Sequence, residues 1–273
     1  MNERVNQIAA RLRYRMPVVF GPTVGPRQGP NGEMYDYSEA PRTTATVSFL
    51  TTQDALSKLL PPHCMLDGEP IVTVEHAELR ELQWLAGRSY SMLGIKFPVL
   101  YRGPTEAARG SFLAVLWENR VDPILSGREE LGFAKLHCQL PAPRSLNGTR
   151  TYSAIWDEHP FMRLALSDLA DAAPPPSTAR DGTLHHRFFP QVGGISAAID
   201  EIVLTPSGGA KVQYDRFQRG SGRVEFVRST WEELPTMFHI INALADLPII
   251  AYRGATLAET RGAKDLSDQR VLR

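Results

Sequence analysis

Lysine is scarce in this chain: of the 30 basic side chains in 273 residues only five are lysines, and the other 25 are arginines. Arginine keeps its proton in proteins, whereas a buried lysine can lose one and act as an amine nucleophile. Each of the five can therefore be weighed singly. Net charge is lacking as well, because 30 basic and 30 acidic side chains cancel. That balance excludes a nucleic-acid partner held by bulk positive charge. No apolar run approaches the roughly 18 residues of a membrane span, so no membrane partner is expected. The start, MNERVNQIAARLRYRMPVVFG, spreads its charges and has no continuous apolar stretch of the signal-peptide kind. Two cysteines, Cys64 and Cys138, make no disulfide framework and suit a reducing, cytoplasmic setting. There is no CxxC or HExxH spacing and the seven histidines are scattered, so neither a metal nor another cofactor is expected.

What the chain does have is turns, with 21 glycines and 21 prolines, which argues against a helical bundle. Val5, Ile8, Ala9 and Leu12 fall at helical spacing and predict an amphipathic helix over 3–14. A Gly/Pro-rich arm follows from Gly21 to Gly32; it lacks GK[ST] and is not read as a phosphate loop. TTATVSFL (43–50) alternates as a strand does, and Thr52 caps a short helix through Leu60 that Pro61 and Pro62 end. Strand-like runs recur at 70–79, 89–101, 111–118, 133–140, 149–156, 194–204, 210–217 and 222–227. A loop spans 171–182, a second helix is expected at about 231–245, and a last strand near 248–253. No repeat or boundary divides the chain. The expectation is one domain over 1–273, with 1–35 as its N-terminal helix and arm. Its fold class is α+β, a strand-dominated, strongly curved or closed antiparallel β-barrel-like sheet with a few flanking helices.

Four lysines have ordinary readings. Lys58 lies on a short helix, Lys211 follows the Gly208-Gly209 turn, Lys264 is in a polar tail, and Lys96 fits the outer side of an edge strand. Lys135 is flanked by Phe133, Ala134 and Leu136. Composition alone makes it a snorkelling surface lysine, and the segment around it overturns that reading.

Residues 127–136 read GREELGFAKL, preceded by LWENRVDPILS. This resembles the acetoacetate decarboxylase superfamily, in which a glycine-arginine-glutamate triplet precedes a Schiff-base-forming lysine. Asp54-Ala55-Leu56 through Leu59-Leu60-Pro61, EPIVTVEH (69–76), FPVLYRG (97–103) and ADLPI (245–249) continue the resemblance over about 42–253. It implies that Lys135 is the Schiff-base lysine, Glu75 the first active-site glutamate and Arg42 the arginine beside a substrate carboxylate. It also implies homo-oligomers. Two positions depart: Leu136 stands where the decarboxylases have a second lysine, and Met92, two residues after Tyr90, stands where they have a second glutamate.

An amine attacks a ketone only when unprotonated. Moving a lysine from about 10.4 to the 7–8 range costs on the order of 4 kcal/mol, which burial or a neighbouring cation can supply. Activated lysine in acetoacetate decarboxylase is a known example of this effect. A protonated imine then serves as an electron sink, either for loss of carbon dioxide from a 3-oxo acid or for enamine formation from pyruvate and attack on an aldehyde. With the second lysine and glutamate missing, aldol condensation and dehydration of a 2-oxo acid with an aldehyde is the first reading. Decarboxylation of acetoacetate or another 3-oxo acid is the alternative, and a non-catalytic small-carboxylate binder is the third. In the first reading Lys135, Glu75 and Tyr252 are catalytic, while Arg42, Tyr90 and Met92 contact substrate. Arg128 and Glu129 are read as a structural pair, and His137 as sharing a strand face with Lys135.

Overall fold

The structure, a computed structural model, describes residues 12–176, 180–209, 211–264 and 266–273. In chain order its elements begin with β1 (Pro41–Leu50), α1 (Gln53–Ser57), β2 (Cys64–Leu66), β3 (Ile71–Leu82), β4 (Arg88–Arg102) and β5 (Ala107–Glu118). Then come α2 (Val121–Glu129), β6 (Lys135–His137), β7 (Arg144–Leu146), β8 (Thr149–Trp156), β9 (His159–Asp171) and β10 (Gly182–Pro190). β11 (Ala197–Pro206), β12 (Gln213–Phe226), α3 (Phe238–Ala245), β13 (Ala251–Arg261) and β14 (Arg270–Val271) complete it. The helix expected at 3–14 falls, up to residue 11, outside the described residues, and 12–14 carry no helix.

All the strands join one sheet in the order β14-β11-β10-β5-β4-β3-β1-β13-β12-β9-β8-β7, with β2 on β4 and β6 on β5. The strand-dominated α+β expectation holds. The sheet is strongly curved but does not close, and it is mixed rather than antiparallel throughout. Both β10 and β6 run parallel to β5, sharing one of its edges at Gly110–Phe112 and Leu116–Glu118 respectively. Parallel pairing of β6 follows from α2, which carries the chain back between them as a crossover. The curl is tight enough that Cα atoms of β1 come within 8 Å of those of β9, three strands along. Gly222 on β12 permits this: a Cβ there would stand 2.5 Å from Val47 Cγ2 and 2.8 Å from Ala255 Cβ.

The sheet has two chemically different faces in its central region. Ala45, Val47 and Phe49 of β1 are buried with Val72, Val74, Leu93, Ile95 and Trp117 in one core, which α3 covers with Ile241 and Leu244. Paired residues of neighbouring strands share a face, so the alternate positions define the other one. Thr46 pairs with Glu75, Glu75 with Gly94, Met92 with Glu118, and Leu116 with Lys135. One face is apolar core; the other carries charge.

Several local expectations change. The Thr52 hydroxyl does cap α1, accepting from Ala55 N at 3.3 Å, but the helix ends at Ser57. The helix expected from 231 begins only at Phe238. Thr230 and Glu233 bond each other's backbone N–H groups as a capping box does, yet Pro235 lacks a donor and disfavours helical backbone at Leu234. The two runs at 210–217 and 222–227 are one strand, β12, with a register shift between Arg219 and Ser221.

Gly222→Ala forces a methyl group into that close approach between strands. The expected result is a loss of about 1–3 kcal/mol, the usual cost of overpacking, seen as a lower urea midpoint with an unchanged slope.

Candidate active site

The charged face opens into a cavity of about 310 Å³ whose lining includes Arg42, Glu75, Tyr90, Met92, Glu118 and Lys135. Five of the six residues expected at the site from sequence are thus brought together. Leu79, Trp84, Leu113, Leu116 and Phe133 supply apolar walls, and Pro26 of the Gly/Pro-rich arm reaches in from outside the sheet. The arm is held there by Arg15 and Arg27, which grip the Glu130 carboxylate at 2.6 and 3.1 Å.

Lys135 is buried, its side chain only 7% exposed, and its surroundings explain the segment before it. The ammonium donates to the Pro123 carbonyl at 2.9 Å, pairs with Glu118 Oε1 at 2.8 Å and lies 5.2 Å from the centre of the Phe133 ring. Pro123 sits in the first turn of α2, where its missing N–H removes no helical bond. Gly127 lies against the lysine itself: a Cβ there would come within 2.5–2.6 Å of Lys135 Cδ, Cε and Nζ. Arg128 donates to the Lys135 carbonyl at 2.9 Å, so it fixes the lysine backbone instead of pairing with Glu129. His137 is exposed and lies by a different cavity, with Gln139 and Trp156.

Glu118, which no sequence pattern singles out, is fully buried, and its Oε2 has no hydrogen-bond partner among the described residues. Burial pushes its carboxyl up from the usual range, against the pull of the Lys135 ammonium. Glu75 behaves in the opposite way. Burial would raise it, but Lys96 at 2.8 Å and Arg42 at 3.1 Å, with the Lys96 hydrogen bond, hold it down at about 2. Arg42 also bonds Thr44 through Nε, so its pairing is with the protein first. Tyr90 keeps its proton: burial, then the Glu118 charge, raise the phenol, and Arg42 offsets them only in part.

Lys96 is the other residue that sequence reasoning misses. β4 is not an edge strand, since β3 and β5 flank it, and Lys96 faces the cavity. Lys264 also reaches the cavity, held by the Gly208 carbonyl and Asp268. Tyr252 is a correction. It pairs with Phe49 across β1 and β13, which puts it on the core side of the sheet, where its hydroxyl bonds Val224 N and O at 3.2 Å. It does not meet Lys135.

A protein-family model described as acetoacetate decarboxylase (ADC) matches residues 15–263. The chain belongs to the acetoacetate decarboxylase family. Solved structures agree at the level of fold. The acetoacetate decarboxylase of Legionella pneumophila is 17% identical, with a TM-score of 0.65 and 88% of each chain covered. The enduracididine biosynthesis enzyme MppR, complexed with the condensation product of pyruvate and imidazole 4-carboxaldehyde, is 13% identical, with a TM-score of 0.63 over 85% of this chain and 88% of that one. An acetoacetate decarboxylase-like enzyme from Sphingomonas wittichii RW1 is 17% identical, with a TM-score of 0.62 over 84% of this chain and 91% of that one. No curated protein sequence matches the chain.

The surroundings of Lys135 make Gly127 a direct probe of its position. Gly127→Ala favours the α2 helix by up to about 1 kcal/mol while driving the Lys135 side chain off Glu118. The clash and the broken buried ion pair outweigh that gain, so thermal stability should fall, and imine trapping by borohydride should fall at least tenfold. A second expectation concerns pH. Burial holds His185 neutral in the fold down to about 3, and burial, with Arg150, holds His76 down to about 4, both from an ordinary 6.5. Below pH 6.5 the unfolded chain therefore binds more protons than the folded one, so stability falls as pH drops from about 6.5 towards those values. The slope is up to about 1.4 kcal/mol per pH unit for each histidine. The raised Glu118 carboxyl acts in the reverse sense, so the comparison needs a variant: His185→Gln should flatten the decline of urea midpoint between pH 7 and pH 5.

Proposed function

We propose that this chain is a Schiff-base enzyme that condenses pyruvate, or a related 2-oxo acid, with an aldehyde and eliminates water. The observation that carries the reading is a buried lysine amine facing a cavity of about 310 Å³ beside a buried carboxylate. Lys135 attacks the keto carbon, and the resulting protonated imine draws electrons from the neighbouring methyl group. Proton loss gives an enamine, whose carbon attacks the aldehyde. Arg42, with Nη1 turned to no group among the described residues, receives the substrate carboxylate, which aldol chemistry retains. Tyr90, protonated, donates to the aldehyde oxygen as it gains charge. Met92 and Trp84 present apolar surface to the aldehyde side chain. Support for this choice also comes from MppR, whose complex holds such a condensation product.

Decarboxylation of a 3-oxo acid is the second reading, and Glu75 favours it. A carboxylate held ionised beside Arg42 would crowd a substrate carboxylate and encourage its loss.

The test is borohydride reduction with pyruvate or with acetoacetate, followed by intact mass. The expected outcome is one reduced adduct, absent in Lys135→Ala. An unmodified wild-type chain, or an adduct that survives Lys135→Ala, defeats the Schiff-base reading. Carbon dioxide from acetoacetate, measured against enone absorbance from pyruvate and an aromatic aldehyde, then ranks the two reactions. Gas without enone would put decarboxylation first.

A further inference from the structure

Lys135 cannot complete an imine without a group that takes up and returns protons, and the cavity holds two carboxylates in unlike surroundings. Glu75 is committed to two cations, at 2.8 and 3.1 Å. Among the described residues Glu118 touches one cation, the lysine itself, at 2.8 Å, and its fully buried Oε2 has no hydrogen-bond partner. We infer that Glu118 is a catalytic residue, the acid–base partner that shuttles protons during imine formation at Lys135. The inference rests on the Schiff-base reading above.

The steps balance without a further reactant. Lys135 Nζ gives a proton to Glu118, and its lone pair forms the C–N bond as the carbonyl π pair moves to oxygen. A proton passes from that nitrogen to the oxygen, giving a carbinolamine. Glu118 then returns its proton to the hydroxyl group, the C–O bond breaks, and water leaves. The nitrogen lone pair closes the C=N bond, leaving a protonated imine beside an ionised Glu118. In a dry site the first transfer removes two buried charges at once, which is why a carboxylate rather than a water suits the position. The opposed directions of the two carboxyls, Glu75 lowered and Glu118 raised, match a fixed charge and a proton carrier respectively. Other charged or titratable groups around the pair are Tyr90 and Lys96 from β4, Arg42 from β1, His185 from β10 and Arg128 from α2.

The two reactions of the amine separate this role from a structural one. Acylation of Lys135 by p-nitrophenyl acetate needs only a free amine, whereas imine formation also needs the proton carrier. Removing the carboxylate leaves an unpaired buried ammonium, which sheds its proton more readily. In Glu118→Gln, acylation of Lys135 at pH 7, read by peptide mass, should therefore hold or rise. Reductive trapping with pyruvate or acetoacetate should fall at least 100-fold, the usual scale of general acid–base catalysis. Glu118→Asp keeps a carboxyl and should trap at least tenfold faster than Glu118→Gln, and it serves as the probe if the latter does not fold. The assignment is overturned if trapping by Glu118→Gln stays within threefold of wild type, if acylation and trapping fall together, or if Glu118→Asp traps no faster than Lys135→Ala. A wild-type chain that neither acid modifies removes the Schiff-base reading itself, a result distinct from all of these.

Discussion

A charge taken out of water is tolerated only with a partner and with hydrogen bonds on its remaining sites. Lys135 and Glu118 are each other's partner, but only the lysine has a further hydrogen bond, to the Pro123 carbonyl, while Glu118 Oε2 goes without one among the described residues; much of the neighbouring structure follows from that pairing. The crossover through α2 returns the chain parallel to β5, so that Lys135 arrives opposite Leu116 with Glu118 two residues further along the same strand. The helix supplies the Pro123 carbonyl for one ammonium proton, a glycine where the side chain must pass, and an arginine that ties down the lysine's own carbonyl. Lengthening, shortening or rotating α2 would break all three together. The GRE triplet is thus a packing requirement of a buried ammonium as much as it is a signature.

The same sheet must also hold the protein together, and it does so by dividing the labour between faces. Alternate residues of β1, β3, β4 and β5 enter the apolar core, while some of those between them, including Arg42, Glu75, Met92, Lys96 and Glu118, line the cavity. A one-residue slip in any of these strands would exchange the two sets. Strong curvature brings the arm and the C-terminal segment over the charged face, so the cavity gains shelter from both. Within that shelter two carboxylates diverge because their neighbours do. Two cations fix the charge of Glu75, and burial beside one leaves Glu118 able to change its own.

The period-2 pattern made most of the strands legible, because a half-buried strand must alternate. What it hid has physical reasons. α2 contains Pro123 and Gly127, which read as breakers in sequence; in the structure one occupies the first helical turn and the other clears room for a side chain from a distant strand. Lys96 looked like an outward residue of an edge strand because apolar neighbours flank it on both sides. Its place between β3 and β5 is a fact of pairing, which no local pattern carries. Tyr252 failed for the converse reason. It follows a segment that does resemble the family, but its register opposite Phe49 puts it on the face away from the cavity, where it stays partly exposed. Parity within one strand is visible in sequence, whereas which face that parity selects depends on the partner strand.

Register also bears on the two departures from the family pattern. Met92 stands where the resemblance leads one to expect a carboxylate, and its direct partner across β4 and β5 is Glu118. Leu136 stands where the resemblance leads one to expect an ammonium, yet Lys96 enters the cavity from β4 and, beyond burial, it and Lys135 both depress the His185 ring. A site needs charges at points in space, and a sheet offers several strand positions for each point. A move of a carboxylate from β4 to β5 would bring it to the strand that pairs with β6, where Glu118 is in contact with the lysine nitrogen. That move changes the chemistry available: a carboxylate near the substrate's leaving group acts on the substrate, whereas one in contact with Nζ acts on the amine and on the carbinolamine it forms. Under the Schiff-base reading, the chain would differ from the decarboxylase arrangement in where its proton traffic runs, not in whether it has groups to carry it.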